Sequence, residues 1–367
     1  MSVKPGILFV TSPDWTSSVY NSSIKEKFQV DHYDLCSGNA EGFLEYLQKT
    51  FDSRSKPLSV IYGGFPAFLP IGGLTRQLLE DKRFPREDLK CVVLCSRGMN
   101  GIDLDATKQY GIQVHNYSDE EDLSSELEEA PQPGVVSDDV ANCAMWHVLE
   151  GFRKFSFHQA CLRKTGNTLR SRKLAAGIDP NTSSFTFGHK LKSGKIKSPR
   201  GQKALILGLG GIGKQIANKL HFGLGMEVHY AKRSRDDSVS WAFHKLDSSI
   251  YSQLSQFTAI VIALPGSQET RHLIDEEFLS FCSKDLILVN IGRGFIIESE
   301  AISNAIAHHR IRHLGVDVFY HEPEVETWLL ENNEDTTITP HIGSGTEDNF
   351  YQSCEYALRK ALKSCYP

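Results

Sequence analysis

The sequence lacks any Cys-x-x-Cys pair among its eight cysteines, any apolar run long enough to cross a bilayer, and any excess of positive charge. Each absence excludes something. Scattered thiols without metal-ligand spacing rule out the common zinc and redox motifs, so no metal centre is expected. Reduced thiols in a cytoplasmic protein are the reading that follows. The opening "MSVKPGILFVTSP" carries too short an apolar run for a signal peptide, and no membrane contact is expected. A net charge of −5 over 367 residues argues against a nucleic-acid partner or a polybasic membrane surface. The one basic stretch, residues 164–203, spreads its lysines and arginines over Gly/Ser/Thr-rich sequence and reads as a surface excursion.

What is present is alternation. Short β-rich runs alternate with helical patterns along the whole chain, the signature of parallel sheets with crossover helices. A first set comprises "GILFVTS" (6–12), "FQVDHYDL" (28–35), "LSVIYGG" (58–64), "LKCVVLCS" (89–96) and "GIQVHNY" (111–117). The acidic segment 118–134 reads as an exposed loop. From Asp138 a long helical pattern runs to about Lys164, with Val140, Ala144, His147, Val148 and Phe152 at helical spacing; His147 and Trp146 read as packing residues. A second set of strands starts at Lys203 and ends with "TTITPHI" (336–342), and an amphipathic helix at 349–365 follows.

One of those strands poses a chemical question. "LILVNIGRG" (286–294) is a buried apolar run that ends in Arg293 between two glycines. A guanidinium at the carboxyl end of a core strand is costly unless it meets an anion, and the glycines let a ligand come close.

A second motif supplies a partner for that chemistry. "KALILGLGGIGKQIANKL" holds Gly208, Gly210 and Gly213 in the G-x-G-x-x-G spacing, after an apolar strand and ahead of a helix. Gly208 permits the tight turn, Gly210 lets a pyrophosphate approach the backbone, and Gly213 lets helix and strand pack. Gly211 and Ile212, at the helix start, offer N–H groups and a positive dipole end to the phosphates. The next strand should end in Asp or Glu if the cofactor is NAD. It ends instead in Ala231, followed by Lys232, Arg233 and Ser234. Those groups suit a 2′-phosphate, so NADP(H) is the expected cofactor, with NAD(H) as the alternative if the cations are only a solvated strand end.

Taken together these motifs resemble the NAD(P)-dependent D-isomer-specific 2-hydroxyacid dehydrogenases. The likeness rests on "GLGGIG", on "ALPGSQETRHLID" (263–275), "VNIGRG" (289–294), "GVDVFYHEPE" (315–324) and "TPHIGSGT" (339–346), in the family's order. The first domain matches more loosely, through "LCSRGMNGIDLD" (94–105) and "VHNY" (114–117). The general look is that of fungal glyoxylate/hydroxypyruvate reductase-like and D-mandelate dehydrogenase-like members.

The resemblance carries three catalytic residues by position: Arg293, Glu322 and His341. The chemistry asks for the same types. A guanidinium binds a 2-oxo acid's carboxylate and carbonyl. An imidazolium supplies the proton as hydride arrives, and a carboxylate orients the ring. Each also has a structural alternative: a salt bridge for Arg293, an exposed turn for Glu322, a satisfied core position for His341. The resemblance further implies that Asp317 lies near the nicotinamide carboxamide and that Leu264, Pro265 and Thr270 line the cofactor. It places Arg97 and Gly98 in the substrate-carboxylate loop, where Ser96-Arg97-Gly98-Met99-Asn100 departs from the usual Gly-x-Gly-x-Asp. His272 reads as structural, and His321, His308 and His309 as solvent-facing.

The implied architecture is α/β, with two doubly wound parallel-sheet domains and a cleft between them. Residues 1–137 would form a flavodoxin-like substrate-binding domain, rejoined by a C-terminal helix at 345–367, and residues 138–344 a Rossmann cofactor domain. Members are usually homodimers joined through the cofactor domain. The implied function is reduction of small 2-oxo acids. Formate oxidation has no use for a Glu–His pair; a non-enzymatic cofactor-sensing corepressor on the same fold is the competing reading from another class.

Overall fold

The computed structural model describes residues 3–64, 67–99, 101–117, 135–192, 194–332 and 334–366. The acidic segment 118–134 lies outside them. The chain divides into two compact units, Met1–Pro133 with Thr346–Pro367, and Gly134–Gly345.

In the first unit, alternation along the strands decides which side chain enters which core. Strands β1 (Gly6–Phe9), β2 (Gln29–His32), β3 (Leu58–Gly63), β4 (Cys91–Leu94) and β5 (Gln113–His115) form a parallel sheet in the order β2-β1-β3-β4-β5. Leu8, Val10, Ile61, Val92 and Leu94 face one apolar cluster, with Phe43, Leu47 and Phe68. Ile7, Phe9, Val60, Tyr62, Cys91 and Val93 face the other. That second face is covered by the last helix, Glu347–Cys365, through Cys354, Ala357, Leu358 and Ala361. The helix begins where the Thr346 hydroxyl accepts from the Asn349 N–H at 3.3 Å.

The second unit is built on seven parallel strands: β6 (Lys203–Leu207), β7 (Glu227–Lys232), β8 (Ala242–Lys245), β9 (Ala259–Ile262), β10 (Ile287–Asn290), β11 (His313–Val316) and β12 (Thr336–Ile338). Their order is β12-β11-β10-β9-β6-β7-β8, so the chain adds strands outward in one direction from β6 to β8 and in the other from β9 to β12. In such sheets ligands bind beyond the carboxyl ends of the strands, where the two directions diverge. Leu205, Leu207, Ile260, Ile262, Leu288, Leu314 and Val316 pack into one large cluster. On the other face the helix Val135–Arg153 crosses β11 where Gly315 leaves room for His147: a Cβ there would lie 2.6 Å from that of His147.

Three local expectations change. The long helical pattern from Asp138 is two helices, Val135–Arg153 and Phe155–Thr165, separated by Lys154 at a left-handed φ of 51°. The break swings the Lys154 side chain inward, where its ammonium meets His313. The basic stretch also contains a helix, Thr168–Ala175, started by the Asn167 side chain accepting from the Leu169 and Arg170 N–H groups, both at 3.0 Å. Ala175 packs there with Cys161 and Leu191 in a small cluster of its own. Trp146, expected to pack inside, is exposed, whereas His147 is fully buried. Among the described residues no helix is long and apolar enough to cross a membrane.

Candidate active site

The glycine turn joins β6 to the helix Gly211–Asn218. Gly208 has φ +94°, and a Cβ on it would lie 2.7 Å from the Ala263 carbonyl oxygen. A Cβ on Gly213 would fall 2.1 Å from the Gly208 carbonyl oxygen, so helix and turn touch backbone to backbone. Gly210 is the opposite case: a Cβ there meets nothing within 4 Å. The turn is tight on its protein side and open at Gly210, ahead of a helix N-terminus. That is the shape a dinucleotide pyrophosphate fits.

At the end of β7, Arg233 and Ser234 are exposed, with Arg233 3.5 Å from Glu269. Lys232 stands 3.8 Å from Asp236, whose carboxylate is held well below the usual range by the Ser238 hydroxyl and the Lys214 ammonium. Beyond β9, Leu264 is buried and Pro265 exposed. The Thr270 hydroxyl donates to the Pro265 carbonyl at 2.9 Å and accepts from the Ser267 N–H at 2.9 Å, closing the loop between them.

Arg293 follows β10 on a turn organised by Asn290. That side chain is almost fully buried; it donates to the Arg293 carbonyl at 2.9 Å and accepts from the Gly292 N–H at 3.0 Å. Gly294 sits so close to the backbone after β11 that a Cβ would lie 2.0 Å from the Phe319 carbonyl. The arginine turn and the segment leading to Glu322 are therefore pressed together. Glu322 Oε1 accepts from the Phe319 N–H at 3.0 Å, and Oε2 meets His341 Nδ1 at 2.9 Å. Their side chains are 20% and 33% exposed. Burial pushes the Glu322 carboxyl upward, but His341, the Phe319 N–H and the charge of Arg293 outweigh it and hold it below the usual value.

His341 has φ +53°, a conformation that is unfavourable for a residue with a side chain and persists only where its surroundings enforce it. Asp317 enforces it. One carboxylate oxygen accepts from the Ile342 N–H at 2.9 Å and the Thr339 hydroxyl at 2.6 Å, and the other from the Gly343 N–H at 2.8 Å. Asp317 is thus occupied with the histidine loop, a role the sequence did not suggest. Asn290 and Thr339 were also missed. A buried polar side chain inside an apolar strand, such as Asn290 in "LILVNIG", is the signal that could have found the first.

The remaining positions have local partners of their own. Arg97 and Gly98 lie in the first unit, after β4; the Arg97 carbonyl accepts from Asn116 at 2.7 Å and the Gly98 carbonyl from the Ser96 hydroxyl at 3.1 Å. His272 Nε2 meets the Tyr320 hydroxyl at 2.6 Å, and His321, His308 and His309 are exposed.

Residues 170–343 match the family model described as "D-isomer specific 2-hydroxyacid dehydrogenase, NAD binding domain". A Saccharomyces cerevisiae protein described as "Putative 2-hydroxyacid dehydrogenase YGL185C" is 50% identical over 365 residues, 98% of this chain and 93% of that protein. The chain belongs to the D-isomer-specific 2-hydroxyacid dehydrogenase family. Within it, "Glyoxylate/hydroxypyruvate reductase B" of Yersinia enterocolitica is 34% identical over 271 residues, 74% of this chain and 72% of that protein. The holo crystal structure of Rhodotorula graminis D-mandelate dehydrogenase shares the fold with a TM-score of 0.79 and 22% identity, covering 99% of this chain and 94% of that one. The chain is thus a member of an NAD(P)-dependent dehydrogenase/reductase family.

Proposed function

We propose that the protein reduces small 2-oxo acids of the glyoxylate or hydroxypyruvate kind to D-2-hydroxy acids, with NADPH preferred over NADH. The observation that carries this is the 2.9 Å pairing of His341 with Glu322 in the segments pressed against the Arg293 turn. Gly208, Gly210, Gly211, Ile212 and Gly213 cradle the pyrophosphate, and Leu264, Pro265 and Thr270 flank the dinucleotide. When bound, the dinucleotide supplies a hydride to the substrate's carbonyl carbon.

The chain's own residues do the rest. Arg293 binds the substrate carboxylate and the carbonyl oxygen through its planar fork and stabilises charge developing there. His341 gives its Nε2 proton to that oxygen and takes it back in the oxidation direction. Glu322 fixes the ring through Nδ1. Asp317 holds the loop on which His341 stands. Lys232, Arg233 and Ser234 supply two cations and a hydroxyl for the 2′-phosphate. The name of the Yersinia relative supports the choice of substrate class.

Two further points belong to the same reading. The protein works as a homodimer joined through its second unit, which exposes Trp146, Phe155, Leu162, Leu169, Phe185 and Phe187. It resides in the cytoplasm, in keeping with eight cysteines that are all unpaired in the structure.

The test is loss of NADPH absorbance with glyoxylate, hydroxypyruvate and bulkier aromatic 2-oxo acids, repeated with NADH. Turnover of a small acid with NADPH ahead of NADH is expected. Tight NADPH binding without turnover of any acid would refute the reductase and favour a cofactor sensor.

A further inference from the structure

Beneath the His341 loop, ending on Asp317, runs a line of buried and half-buried polar side chains that the steps above do not use. Thr339 Oγ1 lies 2.6 Å from Asp317 Oδ1 and 3.1 Å from His147 Nε2. The other nitrogen of His147 lies 2.8 Å from Thr337 Oγ1, which is 3.0 Å from His313 Nε2. His313 Nδ1 ends the line 2.8 Å from the Lys154 ammonium, which also donates to the Glu334 carbonyl and stands 3.9 Å from the Asp335 carboxylate. His147 and His313 are completely buried, and Lys154 and Asp317 are 3% exposed.

The hydrogen atoms in this line can be assigned from its two ends. Carboxylate oxygens only accept, so the Thr339 hydroxyl donates to Asp317 and its oxygen receives the Nε2–H of His147. His147 Nδ1 then accepts from the Thr337 hydroxyl. The Thr337 oxygen receives the Nε2–H of His313, whose Nδ1 accepts from the ammonium. Every bond points the same way, from a buried cation to a buried carboxylate, and each imidazole must carry one proton. Burial enforces this, pushing His147 down to about 3 and His313 well below its ordinary value. Lys154, pushed down to about 8 by burial against the pull of Asp335, still carries its proton at neutral pH.

We propose that Lys154, His313, Thr337, His147 and Thr339 form a directed hydrogen-bond relay that positions the His341 imidazole by locking the orientation of Asp317. Asp317 grips the two N–H groups that follow His341, so a carboxylate free to rotate would loosen the left-handed residue that carries the proton. These are positioning residues; none touches a reacting atom. An apolar filling would pack the same volume, whereas a line of hydrogen bonds with one permitted direction also sets an angle. The inference rests on His341 being the proton donor.

The test compares Thr339→Val, which keeps the shape and removes the hydroxyl, with Thr339→Ser, which keeps the hydroxyl. Thr337→Val and Thr337→Ser serve as the second pair should Thr339→Val fail to fold. The full chain is assayed with NADPH and glyoxylate, NADPH affinity is measured by fluorescence, and amide exchange is followed over residues 341–343. Thr339→Val should lower kcat about ten- to a hundredfold, as small misplacements of a catalytic group do, with the Kd for NADPH within about twofold. The 341–343 amides should exchange faster, and Thr339→Ser should restore both readouts. Wild-type kcat and unchanged protection in Thr339→Val would overturn the relay. So would a serine variant as impaired as the valine one, since shape would then be the cause. Amide exchange is read without turnover, so a wild-type protein inactive on every acid would refute the reductase reading and still leave the locking of the loop measurable.

Discussion

Glu322 and His341, 19 residues apart in the chain, meet at 2.9 Å through Oε2 and Nδ1, and the carboxylate is itself held by the Phe319 N–H at 3.0 Å. The ring is therefore oriented by a carboxylate that the backbone orients in turn. Nδ1 is thereby engaged with the carboxylate, and under the proposed function Nε2 is the nitrogen that serves the substrate.

Replacing His341 by Asn should leave NADPH affinity unchanged and lower kcat about a hundred- to ten-thousandfold, the usual effect of losing a positioned proton donor. Glu322→Gln should have the same direction and a smaller size, because the ring keeps its proton-carrying atom while its partner loses the negative charge and one of the two oxygens shared with the Phe319 N–H. Stopped-flow and steady-state rates with NADPH and glyoxylate decide it; near-normal turnover in His341→Asn would remove the proton-donor assignment.

Arg293→Lys tests whether geometry or charge matters at the end of β10. Lysine keeps the charge and loses the planar fork. It also loses the bond from Nη1 to the Gly292 carbonyl, 2.7 Å long in the structure. KM for the 2-oxo acid should rise about tenfold or more, with kcat falling as well, which corresponds to an interaction made both before and during the reaction. An unchanged KM would show that Arg293 does not bind substrate.

The two neighbouring glycines should respond in opposite ways. Gly213→Ala places a methyl group 2.1 Å from a backbone oxygen that cannot yield, and should destabilise the fold by about 1–3 kcal/mol or more in urea unfolding. Gly210→Ala meets open space and should keep stability within about 0.5 kcal/mol. Its NADPH affinity should nonetheless fall about tenfold, equivalent to 1.4 kcal/mol, because the methyl group occupies the side the pyrophosphate approaches. Unaltered affinity would mean that the phosphates lie elsewhere.

Much of the fold was legible because hydrophobic runs and turn glycines act locally: the apolar strands, their parallel arrangement and the glycine turn are all visible as patterns. What escaped has a common cause. Lys154 breaks a helix that propensity would continue, because its ammonium reaches His313, 159 residues away. The helix Thr168–Ala175 sits in a segment too polar to look helical and is started by the Asn167 side chain. The edge strand β8 is short and only partly buried. The hold of Asp317 on the backbone of Ile342 and Gly343, 25 and 26 residues further along, leaves no local pattern. Each of these depends on a contact between residues that only the fold brings together.

Cofactor preference should reside in a few exposed cations. Arg233→Ala should lower kcat/KM with NADPH about tenfold and leave NADH little changed, since a charge-assisted hydrogen bond to phosphate is worth about 1.5–3 kcal/mol. Arg233 is 86% exposed, so the effect should shrink as salt is raised. An equal loss with both nucleotides would place Arg233 outside the 2′-phosphate site.

The buried histidines make acid the vulnerable side of the fold. His147 has its pKa pushed from 6.5 down to about 3 by burial. Above pH 6.5 neither the folded nor the unfolded chain protonates it, and its full contribution is present. Between 6.5 and about 3 the unfolded chain takes up a proton that the folded one refuses, so stability falls with falling pH, at up to about 1.4 kcal/mol per pH unit for one group. His313, shifted in the same direction, steepens the loss. Urea unfolding of wild type and His147→Asn between pH 7 and pH 4 separates this effect from simple destabilisation. The variant should start less stable, because Thr337 and Thr339 lose a partner, yet its stability should decline less steeply as acid is added. Parallel declines would mean that His147 is protonated in the folded protein, and the single direction of the hydrogen bonds around it would fail with that result.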